Sequence, residues 1–162
     1  ATAAATNLPA RPSAIEPSQR MREDSTLNKN KKEVFARTEE NLLWLSDILM
    51  EAESYHREGG VDRCLEEYKK VARRFEKLND FETASYFYKK NLDVSLEFKS
   101  LKGEAESWMG LGCCEEKVHN KYEAMGNLET ALEKATEGGE PKLEKEISKE
   151  LVRVYQLIAN DF

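Results

Sequence analysis

The chain has few of the residues that interrupt helices. Of its 162 residues eight are Gly and four are Pro, and three of those Pro (Pro9, Pro12, Pro17) fall within the first 17 positions. The rest of the chain, rich in Leu, Glu, Lys and Ala, is a helix-forming mixture, so the fold class is expected to be all-α. Long apolar runs are missing as well: none approaches the roughly 18 residues of a membrane span. Basic residues are in deficit, with 25 Lys and Arg against 31 Asp and Glu, a net charge of −6 and a pI near 5.2. That argues against nucleic acid as a partner, because phosphate contacts need a basic surplus on one face. Only three Cys occur, at 64, 113 and 114. Two of them are adjacent and would point to different faces of a helix, so reduced thiols of an intracellular protein are expected in place of a disulfide framework. The chain opens at Ala1 without Met or an apolar h-region, so no secretory signal is visible and a fragment of a longer protein is expected.

What is present is a very polar chain with a usable core. Charged residues make up 35% and mean hydropathy is −0.73, yet 40% of residues are hydrophobic and 9% aromatic, too many for a wholly disordered protein. Residues 1–30 are rich in Ala, Thr, Pro, Asn and Ser without a sustained period, which predicts an extended or disordered-type segment ordered by a partner. Residues 31–162 read as one helical repeat domain.

Helical stripes follow one another along that domain. Leu42, Leu45, Leu49 and Ala52, with Ile48 and Tyr55, form the first, ended by Gly59-Gly60. Cys64, Leu65, Tyr68, Val71, Ala72 and Phe75 form the second. Asn79-Asp80 breaks the chain, and Asp80 is a suitable N-cap for a helix to about Phe98. Ser100 to Gly103 are read as further punctuation before a helix carrying Trp108, Leu111, Gly112 and Cys114. Asn120 with Glu123 resembles a capping box for a helix through Leu128, Ala131 and Leu132, stopped by Gly138-Gly139. Pro141 suits the first turn of a last helix with Ile147, Leu151, Val154, Tyr155 and Ile158. About six helices joined by short loops predict antiparallel neighbours.

These helices resemble one another at an offset of 40 residues. Trp108-Met109-Gly110-Leu111-Gly112 is a W-x-x-L-G, followed by Ala124, Leu128 and Ala131. Forty residues earlier stand Tyr68, Val71, Ala72 and Phe75, then Ala84 and Tyr88; forty residues later stand Leu151 and Tyr155. Asn79-Asp80-Phe81 is echoed by Asn160-Asp161-Phe162. Small residues at 72, 84, 112, 124 and 131 would let helices approach closely, with large ones filling the space between hairpins. Three positions depart from the pattern: Glu115 replaces an aromatic, Asn91 a small residue, and Tyr122 falls one place late.

On these residues the chain, over about 40–162, resembles the tetratricopeptide repeat family. Its 40-residue spacing is similar to that of the Leu-Gly-Asn-repeat spindle-orientation adaptors. The stretches FETASYFYKKNLDVSLEF and LKGEAESWMGLGCCEEKVHNKYEAMGNLETALEKA resemble tetratricopeptide proteins of motile cilia, associated with axonemal dynein arms and their docking on doublet microtubules. The resemblance implies stacked helix-turn-helix hairpins, an α-solenoid, in which the first helix of each hairpin lines a peptide groove. The family's groove positions fall on Glu66, Lys69 and Arg73, then Glu106, Met109 and Cys113, then Glu146, Lys149 and Arg153. That suggests an apolar patch around Met109 flanked by basic residues, set against the alternative of an ordinary solvated face. The Asn positions of the family's carboxylate clamp hold Arg73 and Gly110, so that clamp is not expected.

Signs of catalysis are lacking. Gly59-Gly60 and Gly138-Gly139 end helices and cradle no phosphate. His56 and His119 are too far apart to read as a local metal pair, and Cys113 and Cys114 sit where a repeat helix expects small apolar residues. The expectation is a non-enzyme without cofactor, metal, membrane, nucleic-acid or small-molecule partner. The resemblance implies a scaffold in a large cytoskeletal assembly, foremost an axonemal dynein-associated or docking complex at the cilium. The alternative is a regulatory peptide-binding adaptor of cortical, spindle or co-chaperone type.

Overall fold

The computed structural model describes residues 31–162, so the segment 1–30 and the partner contact expected of it lie outside the described residues. Six helices make up the regular structure there: α1 Glu39–Glu58, α2 Val61–Lys77, α3 Phe81–Glu97, α4 Leu101–Lys117, α5 Lys121–Glu137 and α6 Pro141–Ala159. Each packs on its neighbour in sequence as an antiparallel hairpin partner, and α2 also touches α4 as α4 touches α6. The second, fourth and sixth helices therefore form one continuous layer. The first, third and fifth lie outside it and approach each other less closely. This is an all-α solenoid of stacked hairpins.

The period is finer than 40 residues. Helices α2 to α6 begin at 61, 81, 101, 121 and 141, and one backbone device ends each helix before them. Gly59, Asn79, Lys99, His119 and Gly139 all have positive φ, between 56° and 78°. The next residue's N–H donates to the carbonyl five positions back: Gly60 to Tyr55, Asp80 to Phe75, Ser100 to Ser95, Asn120 to Glu115 and Glu140 to Ala135, at 2.8–3.0 Å. This satisfies carbonyls that a helix end leaves unpaired and turns the chain sharply into the next helix.

Helix starts are capped by Thr38, Asp80 and Ser100, whose side-chain oxygens accept from the N–H of Asn41, Thr83 and Gly103 at 3.1–3.2 Å. Two expectations are corrected. Asn120 forms no capping box; its Nδ2 donates instead to the Glu115 carboxylate at 2.7 Å, a charged acceptor in the preceding helix's last turn. Gly103 does not punctuate the chain but lies inside α4. It is buried there, and an added Cβ would collide with Ser95 Oγ and come within 2.8 Å of Leu65 Cδ1.

The core divides by chemistry. Between α1 and α4 it is large and aromatic: Tyr68, Phe75, Phe87 and Tyr88 pack with Val71, Leu65, Leu111 and Cys114. Phe75 and Phe87 stack at 6.1 Å. From α4 to α6 it consists of two smaller clusters of Ala, Leu, Ile and Val, bridged by Met109 and Leu132. All the repeat-signature residues but Gly112 and Tyr155 fall in or against these clusters; Trp108 is half-buried, and Tyr155 is exposed, its O–H donating to Glu129 at 2.7 Å. The first helix starts at Glu39, one turn before the Leu42 at which its apolar stripe begins. Residues 32–38 have no regular structure and lie against the end of α2: Glu33 N–H donates to Leu78 O at 2.7 Å, and the Phe35 ring sits 5.2 Å from that of Phe75.

Candidate peptide-binding face

The layer of α2, α4 and α6 carries all nine groove residues expected from sequence, in three rows 40 residues apart. Glu66, Arg73, Glu146, Lys149 and Arg153 are exposed, whereas Lys69, Glu106, Met109 and Cys113 are half-buried. Several of these charges are used within the layer. Lys69 Nζ reaches across from α2 to Glu106 on α4 at 3.2 Å, with Glu66 at 3.9 Å. Arg153 on α6 reaches back to Glu116 on α4 at 3.2 Å and also pairs with Glu150. Met109 packs into both clusters between α4 and α6. The expected apolar patch is therefore partly consumed by packing, and of the basic residues expected to flank it Arg73 and Lys149 are the exposed pair with no ion pair to a neighbouring helix among the described residues.

The face is shallow. The space enclosed by Lys69, Tyr88, Asn91, Glu106 and Ser107 between α2 and α4 is only about 10 Å³, so a ligand would lie along the layer. Beneath it, Asn91 stands where a small residue was expected, and its Nδ2 donates to Leu65 O of α2 at 3.0 Å. Ser95 and Ser107 donate to carbonyls of their own helices at 2.7 Å. Glu76 gathers the Tyr88 O–H at 2.7 Å and the Cys114 S–H at 3.7 Å. Burial first, and then that carboxylate, push the Tyr88 hydroxyl and Cys114 thiol pKa upward, the latter to about 12. Cys113 is likewise pushed up to about 12, by burial and then by Glu150 and Glu76. Thiols held protonated are poor nucleophiles at neutral pH.

Glu116 escaped the sequence reading, although its side chain is only 10% exposed and anchors Arg153. A signal for it existed: opposite charges recur 37 residues apart, as Lys69 with Glu106 and as Glu116 with Arg153. Among the described residues no three His, Cys, Asp or Glu side chains converge as metal ligands, and no helix is long and apolar enough to cross a membrane.

Fold and face together define a helical solenoid with a charged, shallow inner layer. No family model, curated protein or solved structure matches this chain.

Proposed function

We propose that the chain is a non-catalytic scaffold of tetratricopeptide type that holds other proteins along the layer of α2, α4 and α6. The observation behind this reading is the continuity of that layer. Contacting helices present Glu66, Glu106 and Glu146 in one row, Lys69, Met109 and Lys149 in the next, and Arg73, Cys113 and Arg153 in a third. An extended or helical peptide crossing the layer meets a carboxylate at each hairpin, with basic side chains on α2 and α6 and Met109 and Cys113 between them, which suits a partner held along its length.

The assembly to which the sequence resemblance points is an axonemal dynein-associated or docking complex. Retrieval of partners from ciliated-cell extract tests both parts of the proposal. Arg73→Glu with Lys149→Glu reverses two exposed charges without breaking the bridge from Lys69 to Glu106. We expect the double variant to lose most of the dynein-arm or docking proteins that the parent chain captures. Capture unchanged by the substitutions rules out the layer, and a captured set without axonemal proteins rules out the ciliary assignment. The co-chaperone alternative is disfavoured by Gly110, which is buried beneath Tyr88 where a carboxylate clamp needs an exposed Asn.

A further inference from the structure

The first helix carries more apolar surface than the fold buries. Ile48 and Ala52 are buried and hold α1 to the core. Beside them Leu42, Leu45, Leu49 and Met50 border a hollow of about 520 Å³ between α1 and α3, floored by Tyr68 of α2, with Leu45 and Leu49 also packed against the core. Leu42 is 47% and Met50 67% exposed. The repeat itself does not require apolar residues there, for 40 residues later α3 carries Glu82, Ser85, Lys89 and Lys90. A surface helix whose apolar face continues from the core into solvent has room for a second packing partner.

We propose that this hollow docks a basic amphipathic helix of a partner protein. Charge indicates the partner's chemistry. Helix α1 carries six carboxylates against a single Arg, and Glu39 and Glu53 bracket the stripe at its two ends. The one cation in the hollow, Lys90, rests its ammonium over the rings of Tyr68 and Tyr86, 5.5 and 5.7 Å from their centroids, so aromatic faces already engage it. A second copy of the chain would set acidic α1 against acidic α1, and an anionic lipid surface would be repelled in the same way. The stripe from Leu42 to Met50 is roughly 12 Å long at 1.5 Å per residue, a match for two to three turns of an incoming helix. Leucine-like residues on that helix would fill the hollow while its Lys or Arg meet Glu53 in the lining and Glu39 beyond the stripe's other end. This surface lies on the opposite side of the hairpins from the α2, α4 and α6 layer and stands whether or not that layer binds peptide.

The test uses the whole chain and two fluorescein-labelled helical peptides with an identical leucine face, one with lysines and one with glutamates on the other face. Fluorescence anisotropy should show saturable one-to-one binding of the lysine peptide, at least tenfold tighter than the glutamate peptide. The deciding variant is Leu42→Asp with Met50→Asp. It adds two negative charges, so diffuse attraction of a basic peptide would grow stronger, whereas docking in the hollow should weaken tenfold or more. Both sites are exposed, and an unchanged circular dichroism melt establishes that the variant folds. Met50→Ser, which changes no charge, should weaken binding severalfold and serves if the double variant melts early. Equal or tighter binding to these variants overturns the proposal. So does sedimentation showing that the parent chain dimerises through this face and that the two aspartates abolish the dimer.

Discussion

At the scale of single residues, the same substitution should act with opposite sign on two helical glycines. Gly126 lies on the exposed face of α5, where an added Cβ meets nothing within 4 Å. Alanine there gains helix propensity at no packing cost, so Gly126→Ala should stabilise by about 0.5–1 kcal/mol. Gly110 in α4 lies under the Tyr88 ring, whose carbons would stand 2.5 Å from a Cβ, and that ring is held by its hydrogen bond to Glu76. Overpacking should outweigh propensity, and Gly110→Ala should destabilise by about 1–3 kcal/mol. Urea midpoints at unchanged slope measure both, and a midpoint for Gly110→Ala at or above the parent's would contradict this account. The close approach at Gly112, where Leu128 would stand 2.8 Å from a Cβ, was legible from the W-x-x-L-G pattern. The roles of Gly103, Asn91 and Glu116 were not, because each is set by a residue on another helix, at Ser95, Leu65 and Arg153 respectively.

At the scale of elements, the repeated helix ending makes a graded prediction. The left-handed position is filled by Gly at 59 and 139 and by Asn at 79, residues that tolerate it, but by Lys at 99 and His at 119. A side chain in that conformation costs about 1–2 kcal/mol, while glycine's extra freedom in the unfolded chain costs about 0.5–1 kcal/mol. Lys99→Gly and His119→Gly should therefore each raise stability by about 0.5–1 kcal/mol, and Gly139→Ala should lower it by a similar amount. Thermal melts of the three variants check the order; a lower midpoint for both glycine substitutions would show that these turns are not strained. The same turns explain what could be read beforehand. Gly59-Gly60, Asn79-Asp80 and Gly138-Gly139 announced their helix ends by residue type. Lys99 and His119 did not; those two breaks were placed by the polar residues after them, Ser100 and Asn120, and the first was drawn on through Gly103, which lies inside α4. The 40-residue repeat was visible because side-chain packing alternates between inner and outer helices. The 20-residue period was hidden because it belongs to the backbone, which adopts one conformation at five positions filled by four residue types.

At the scale of the whole molecule, the uneven core should make stability uneven along the stack. In solenoids each hairpin contacts only its neighbours, so local opening follows the local interface and the ends need not share the strength of the middle. Helices α2 and α3 bury four aromatic side chains, Tyr68, Phe75, Phe87 and Tyr88, together with Val71 and Leu65. Helices α5 and α6 rest largely on Ala124, Ala131 and Ala135 opposite Leu128, Leu143, Ile147, Leu151 and Val154. Burying an aromatic ring removes far more apolar surface from water than burying an alanine methyl, at about 25 cal/mol per Å². The ion pairs from Lys121 to Asp161 and from Arg153 to Glu116 are partly solvated and offset little of that difference. Native-state hydrogen exchange should therefore show the slowest amides in α2 and α3, with α5 and α6 opening together at a lower free energy. Adding bulk where the second half has least should narrow the gap. Gly126→Ala is the control, since it strengthens α5 without touching either cluster and should slow exchange in α5 and α6 while leaving α2 and α3 unchanged. Equal protection across all the helices would mean that the stack opens as one cooperative unit and that the aromatic half lends its stability to the rest.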